Sequence, residues 1–136
     1  MLYELIYRSK ATSDITENDL KDILEVARDF NGQHNITGCL LYNNKQFLQL
    51  IEGEFDTLMA LYEKIKTDER HEDVLLLHMR ETEYRIYPEW TMAFKSLDET
   101  ELTNNAGVTQ FTEFEESKDD QILSKQLFTA IGNDLN

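Results

Sequence analysis

A predicted β-hairpin at residues 42–53 constrains this chain more than any other stretch of its sequence. Asn43-Asn44 is a signal for a two-residue turn, because asparagine tolerates positive φ. The strand that follows alternates, so three residues share one of its faces: Phe47, Gln49 and Ile51. The amide of Gln49 therefore lies among large apolar side chains. It must find hydrogen-bond partners or cost the domain about 1–3 kcal/mol.

Length and composition indicate one folded domain. The 136 residues suffice for a single core, and 40% apolar residues with 10% aromatic ones are typical of a globular chain. The formal net charge is −14, from 27 acidic and 13 basic residues. Because such a surface repels phosphate groups, neither nucleic acid nor a membrane is expected as a partner.

The sequence also predicts a cytoplasmic protein. Its one cysteine, Cys39, leaves no intrachain disulfide framework, suits a reducing compartment and is expected to be buried on a strand. The first residues lack the basic and apolar regions of a signal peptide. No apolar run reaches the roughly 20 residues that span a bilayer. We therefore expect a soluble, intracellular protein.

Periodicity predicts the element order βαββαββ. The five predicted strands are residues 2–8, 36–42, 46–52, 74–79 and 90–97. The first predicted helix begins at a capping box of Thr16 and Asp19 and ends at Gly32. The second follows Gly53, with Asp56 as its cap. This order predicts a ferredoxin-like α+β fold, a mixed five-stranded sheet with strands one and three as central neighbours and two helices on one face.

Residues 98–136 are predicted to extend the domain formed by residues 1–97. The acidic stretch 98–120 is interpreted as a loosely structured connector with one short element. A terminal amphipathic helix follows, with apolar residues at helical spacing: Leu123, Leu127, Ala130 and Ile131. The sheet face opposite the two helices is too apolar to lie in water, so this helix or a partner subunit is expected to cover it.

Polar side chains converge on the helix-covered face of the predicted sheet. Adjacent strands bring Tyr7 beside Gln49, and the end of the first helix adds Asn31. A phenol and two amides offer donors and acceptors that can hold a planar heterocycle. They can also simply bond to one another and to the backbone. Spacing alone favours that second interpretation.

Several short segments agree in residues and in spacing with one known family. They are Tyr7-Arg8-Ser9, Phe30-Asn31 with Asn35-Ile36-Thr37-Gly38, Phe47-Leu48-Gln49 with Glu52-Gly53, Asp68-Glu69-Arg70-His71, and Trp90-Thr91-Met92. Over about residues 1–97 the sequence resembles the BLUF family, blue-light sensors that use flavin. The resemblance implies a photoreceptor of the short single-domain type that is not an enzyme. Its implied cofactor is non-covalent FAD, or FMN.

The resemblance also implies roles for individual residues. Tyr7 resembles the family's electron and proton donor to the excited flavin, and Gln49 the glutamine that bridges this tyrosine and flavin N5/O4. Asn31 resembles the amide that anchors the pyrimidine edge, and Arg70 the basic residue near the C2 carbonyl. Five further residues are expected at the flavin: Ile23, Phe30, Ile36, Ile65 and His71.

Three residues are implied to support the light-driven switch. Ser9 follows the tyrosine, while Trp90 and Met92 are expected on one face of the fifth strand, near the glutamine. Rearranged hydrogen bonds would pass a signal to that strand and to the C-terminal helix. Residues 98–136 are too few for a cyclase or phosphodiesterase, so the signal is expected to leave through a homo-oligomer or a separate effector protein.

Two other functional classes stay open. A small acylphosphatase-type hydrolase needs an Arg–Asn anion site, for which Arg8 and Asn31 supply the residue types. No glycine-rich phosphate cradle follows the first strand, however. A flavin-free interaction module would keep the fold and lack the pigment. The three histidines show no paired metal-ligand spacing, so no metal site is expected.

Overall fold

The secondary structure follows the predicted order and continues with a C-terminal extension. The computed structural model describes residues 1–117 and 122–135. The strands are β1 (Leu2–Ala11), β2 (Thr37–Asn43), β3 (Gln46–Glu54), β4 (His71–Glu81) and β5 (Ala93–Ser96). The helices are α1 (Glu17–Gln33), α2 (Phe55–Lys66), α3 (Glu99–Ala106) and α4 (Leu123–Leu135), with a 3₁₀ turn at Phe111–Glu113.

The five strands form one mixed sheet in the order β4-β1-β3-β2-β5. β1 lies antiparallel between β3 and β4, β3 pairs antiparallel with β2, and β5 runs parallel to β2. The predicted ferredoxin-like topology is confirmed, with strands one and three as neighbours. Their register places Tyr7 directly opposite Gln49, which brings the two candidate switch residues together.

The sheet separates two apolar clusters. Both α1 and α2 pack on one face, above a cluster that contains Leu5, Tyr7 and Ile51. The opposite face is covered by α3, by the 3₁₀ turn and by Leu127, Phe128 and Ile131 of α4. Of the two alternatives expected to cover this apolar face, the C-terminal helix or a partner subunit, the structure has the helix.

The chain between β5 and α4 is more ordered than the sequence predicted. The sequence predicted a loosely structured connector with one short element at 98–120, whereas residues 98–117 hold two, the 3₁₀ turn and α3, which begins at a capping box of Asp98 and Glu101. It ends at Gly107, whose φ of 68° favours glycine. Three large side chains from this stretch are buried: Leu102, Phe111 and Phe114. Residues 118–121, which include the end of the connector, lie outside the described residues.

Two turns lie near the residues predicted for them but are displaced along the chain. The Thr16–Asp19 capping box of α1 is confirmed, but the helix continues past Gly32, and Asn35 turns the chain with a φ of 54°. The hairpin turn is formed by Asn44 and Lys45, with φ of 48° and 61°, one residue later than predicted. Asparagine tolerates positive φ in both turns, which is why composition alone marks them only approximately.

The start of α2 and the extent of β5 also differ from the prediction. The second helix begins directly after Glu54, so Asp56 lies in its first turn and does not cap it. The fifth strand was expected over 90–97 but spans only Ala93–Ser96. Because the chain bends before β5, strand alternation does not apply there, and the predicted common face for Trp90 and Met92 is wrong. Trp90 packs against the α3–α4 cluster and Met92 lies in the α1–α2 cluster.

Candidate functional site

A cavity of about 270 Å³ lies between α1, α2 and the sheet face that they cover. Its size is near the lower end of the roughly 300–1,000 Å³ typical of small-molecule sites. Nine of the predicted site residues line it: Tyr7, Ile23, Phe30, Asn31, Gln49, Ile65, Arg70, His71 and Met92. The two helices supply mainly apolar walls, and the strands supply the polar floor.

Tyr7 and Gln49 form that floor. The Tyr7 hydroxyl donates to Gln49 Oε1, and Gln49 Nε2 lies 3.4 Å from Met92 Sδ, to which it donates. Burial raises the pKa of Tyr7 well above its ordinary value, so the hydroxyl keeps its proton and remains a donor. Both ends of the Gln49 amide are therefore occupied, which explains how an amide is accommodated among apolar side chains.

Asn31 differs from Gln49, because only one end of its buried amide has a partner. Its Nδ2 donates to the Thr91 carbonyl at 2.7 Å, and since a carbonyl only accepts, the other end must be Oδ1. No hydrogen-bond partner of Asn31 Oδ1 is found among the described residues. A buried unpaired acceptor costs about 1–3 kcal/mol. A ligand with an N–H group in the adjoining cavity would remove that cost.

Charged side chains form part of the cavity wall. Arg70 pairs with Asp68 at 2.7 Å and with Asp22 of α1 at 2.9 Å. Hydrogen bonding from Arg70 is the main cause that lowers the pKa of Asp68, so this carboxyl is ionised at neutral pH. On the α2 side, Lys64 Nζ lies 4.7 Å above the ring of Phe30. The cavity wall therefore includes two cations, Lys64 and Arg70, of which Arg70 is paired with two carboxylates.

His71 connects three elements beside the tyrosine. Its Nε2 lies 2.5 Å from the Ile65 carbonyl, and its Nδ1 lies 2.8 Å from Ser9 Oγ. Because the carbonyl only accepts, Nε2 carries the proton and the Ser9 hydroxyl donates to Nδ1. The His71 and Tyr7 ring centroids are 6.1 Å apart. Ser9 does not line the cavity, and it orients a residue that does.

Besides Ser9, two predicted site residues lie outside the cavity wall. Ile36 is buried in the same cluster, but its side chain packs against Gly53. Trp90 belongs to the cluster on the other side of the sheet. Sequence analysis missed the remaining lining residues: Val26, Ala27, Leu40, Phe47, Leu61, Lys64 and Asp68. Helical spacing could have found Ala27 and Leu61, which lie four residues from Ile23 and Ile65 respectively.

Comparison with known proteins identifies the family. The profile of the BLUF family, described as "Sensors of blue-light using FAD", matches residues 2–93. The chain belongs to the BLUF family. The resemblance inferred from the sequence motifs is therefore confirmed, and the domain is that of a flavin-binding blue-light sensor.

The BLUF relatives include much longer proteins. The photoactivated adenylate cyclase subunit beta of Euglena longa is 45% identical over 92 residues, which are 67% of this chain and 11% of that protein. The corresponding subunit of Euglena gracilis is 42% identical over 92 residues, again 11% of its length. This chain thus spans about 11% of the length of these relatives. The cyclase activity in their names is that of these longer proteins, and this chain matches only a small part of each.

Solved BLUF structures match the fold over more of the chain. The dark-state structure of the BLUF protein BlrB has a TM-score of 0.77 at 29% identity and covers 95% of this chain and 96% of that one. The ground state of BlsA has a TM-score of 0.72 at 33% identity and covers 76% and 72%. In the described part of this chain, no helix is both long and apolar enough to cross a membrane. Within the same residues, no His, Cys, Asp and Glu cluster could hold a metal ion.

Proposed function

We propose that this chain is a blue-light photoreceptor whose flavin occupies the cavity between α1 and α2, with Tyr7 and Gln49 as the switch. The observation that carries the proposal is the unpaired, buried Oδ1 of Asn31, a residue that lines that cavity. The acceptor has a large desolvation cost and a neighbouring space for a ligand that donates to it. A core without a ligand would leave this acceptor unpaired at that same cost.

The lining residues fit a flavin in their chemistry. Apolar side chains of α1 and α2 would hold the planar ring, while Asn31 and Gln49 would bond to its polar edge. Lys64 and Arg70 would lie near anionic parts. We favour FAD, which the family description names, over FMN. FMN is the second candidate because the BlrP1 protein of Klebsiella pneumoniae has been solved with FMN.

Tyr7, Gln49 and Met92 provide a switch with two arrangements. A bound flavin supplies the absorption of blue light and a site that accepts an electron and a proton. In the arrangement described here, Gln49 Oε1 accepts from Tyr7 while Nε2 points at the Met92 sulfur. Rotation or tautomerisation of the amide would exchange donor and acceptor at both partners. Because a thioether sulfur is only a weak acceptor, little is lost at Met92 when the amide turns.

The signal would leave through residues 90–92 and β5. This segment carries Met92, and β5 continues directly into the capping box of α3. We propose that a separate cytoplasmic effector protein, or a second copy of this chain, reads the change. The net charge of −14 favours a partner with a basic surface over nucleic acid or anionic lipid.

The absorption spectrum before and after blue light tests this function. Protein supplied with FAD or FMN should bind the flavin and show a reversible red shift of its band. The shift should be absent in Tyr7→Phe and in Gln49→Leu, and it should persist in Tyr84→Phe, a tyrosine that is 78% exposed. Protein that binds neither flavin would refute the proposal and favour a flavin-free interaction module. A normal shift in both core variants would show that the switch uses other residues.

A further inference from the structure

The segment 90–92 is held by hydrogen bonds to three successive backbone carbonyls. In chain order the contacts are Gly38 N to Trp90 O at 3.1 Å, Asn31 Nδ2 to Thr91 O at 2.7 Å, and Arg28 Nε to Met92 O at 3.1 Å. The first donor belongs to β2, and the other two are side chains one turn apart on α1. Helix α1 is thereby fastened to the segment that carries the Met92 side chain.

Arg28 holds the residue that contacts the glutamine. The Met92 side chain is 1% exposed, and its sulfur accepts from Gln49 Nε2. A flexible thioether can occupy several rotamers, so its position depends on how firmly its own backbone is held. The bond from Arg28 acts on the carbonyl of this same residue. Any displacement of that carbonyl would move the sulfur relative to the amide.

The contact is unusual for an exposed arginine in so acidic a chain. The chain has 27 acidic residues, so carboxylates are abundant as alternative partners for a surface arginine. Among the residues that the structure describes, no ion pair involves Arg28, and its recorded bond goes to the Met92 carbonyl. Ordering a long side chain costs conformational entropy, and a charged donor forms a stronger bond than a neutral one. The geometry therefore favours a role for this bond.

We propose that Arg28 is a positioning residue of the switch, whose Nε–H holds the Met92 carbonyl and so keeps the Met92 sulfur at the Gln49 amide. Arg28 neither lines the cavity nor belongs to the motifs that resemble the family. The role of Arg28 in a switch rests on the proposed function, whereas its contact with the Met92 carbonyl requires no flavin. Loss of the bond should loosen Met92 and let the amide return faster after illumination.

Two substitutions separate the hydrogen bond from the charge. In Arg28→Gln the amide nitrogen stands the same number of bonds from Cα as the arginine Nε, so a donor remains. Arg28→Met has similar length and no donor, and both variants lose the positive charge. Arg28→Ala is a second variant without a donor. Lys21→Met is the matched control, since it removes a charge from an exposed position on the same helix.

Two measurements are made on each protein. The first is the methyl NMR spectrum of methionine-labelled protein in the dark, without flavin, with the Met92 signal assigned from Met92→Leu. The second is the rate of dark recovery of the flavin band after blue light. Arg28→Met and Arg28→Ala should shift or broaden the Met92 signal and speed recovery by about threefold or more. Arg28→Gln and Lys21→Met should resemble the unsubstituted protein.

Three outcomes would decide against the inference or against its premise. An unchanged Met92 signal and recovery rate in the variants without a donor would overturn it. Equal effects in Arg28→Gln and Arg28→Met would assign the role to charge, and would overturn it as well. If the unsubstituted protein shows no light response, the proposed function fails, while the NMR spectra of the flavin-free proteins still decide whether Arg28 positions Met92.

Discussion

Tyr7 and Gln49 lie directly opposite each other on β1 and β3, and the tyrosine hydroxyl donates to the glutamine oxygen inside the core. The register of these two strands makes this pairing possible. A slip of one residue in β3 would turn Gln49 to the opposite face, toward α3 and α4. The sheet therefore assembles the proposed switch without help from a ligand.

Coupling between the two residues should appear in stability as well as in the spectrum. Tyr7→Phe leaves Gln49 Oε1 without its donor, and Gln49→Leu leaves the buried hydroxyl without its acceptor, so each should cost about 1–3 kcal/mol. The double variant should cost less than the sum by about 1–2 kcal/mol. Urea unfolding of the four flavin-free proteins measures this difference. Additive losses would mean that the hydrogen bond does not contribute to stability.

Glu4 and Lys125 join the first strand to the last helix through a buried ion pair. Glu4 Oε2 lies 2.9 Å from Lys125 Nζ and 2.7 Å from His78 Nε2. Burial acts to raise the pKa of Glu4, but the bonds from His78 and Lys125 outweigh it and the pKa is lowered. Lys125→Met should therefore destabilise the protein at pH 7 by about 3 kcal/mol, since it leaves a buried charge without that partner.

The Glu4–Lys125 ion pair should also make the stability of the folded protein depend on pH in the acidic range. Because the pKa of Glu4 is lower in the folded state, its contribution is present at neutral pH and is lost as the pH falls below about 4.5. Urea unfolding at pH 7 and at pH 3 measures the fall in the free energy of unfolding between these pH values. This fall should be smaller in Lys125→Met than in the unsubstituted protein. Lys95→Met breaks an ion pair with Glu101, whose side chain is 36% exposed, and should cost less than about 1 kcal/mol. If Lys125→Met and Lys95→Met lower the free energy of unfolding at pH 7 equally, the buried ion pair is contradicted.

Cys39 should make the protein less stable at alkaline pH. Burial raises the pKa of its thiol to about 12, from an ordinary value of 9.0. Between these values only the unfolded chain releases the proton, so stability falls as the pH rises. Between pH 8 and pH 10, the unsubstituted protein should lose about 1.4 kcal/mol more than Cys39→Ala. The measurement is urea unfolding of both proteins at the two pH values. If both lose the same free energy of unfolding, the raised pKa of Cys39 is contradicted.

Two glycines should respond oppositely to substitution by alanine. A Cβ on Gly38 would lie 2.1 Å from the Leu50 carbonyl oxygen, so Gly38→Ala must separate β2 from β3 and should cost at least about 3 kcal/mol. At Gly32, inside α1, the nearest atom outside the helix would be 3.9 Å away. Gly32→Ala should stabilise the protein by about 0.5–1 kcal/mol through helix propensity. Thermal unfolding compares the two variants, and a stable Gly38→Ala protein would refute the close contact.

Local patterns in the sequence were sufficient for the sheet and for much of the cavity. Alternation in β3 and helical spacing in α1 depend on residues close together in the chain, so they placed Gln49 and Asn31 correctly on the covered face. The strand boundaries moved by up to three residues, as at the start of β5. The hairpin turn moved by one, because the neighbouring residues Asn43 and Asn44 tolerate the same backbone conformation. The acidic composition of residues 98–117 concealed the buried side chains of that stretch.

The sequence by itself determined the order of elements, the presence of the hairpin and the buried amide on strand three. Each follows from short-range periodicity and turn chemistry. Only the tertiary structure decided that Trp90 and Met92 face opposite sides of the sheet, and that Arg28 bonds to the Met92 carbonyl. These relationships join residues far apart in the chain across a bend, where no repeating pattern relates position to direction. The pairing of Gln49 with Tyr7 was predictable from strand order. The bond from Arg28 that holds Met92, the other partner of Gln49, was not.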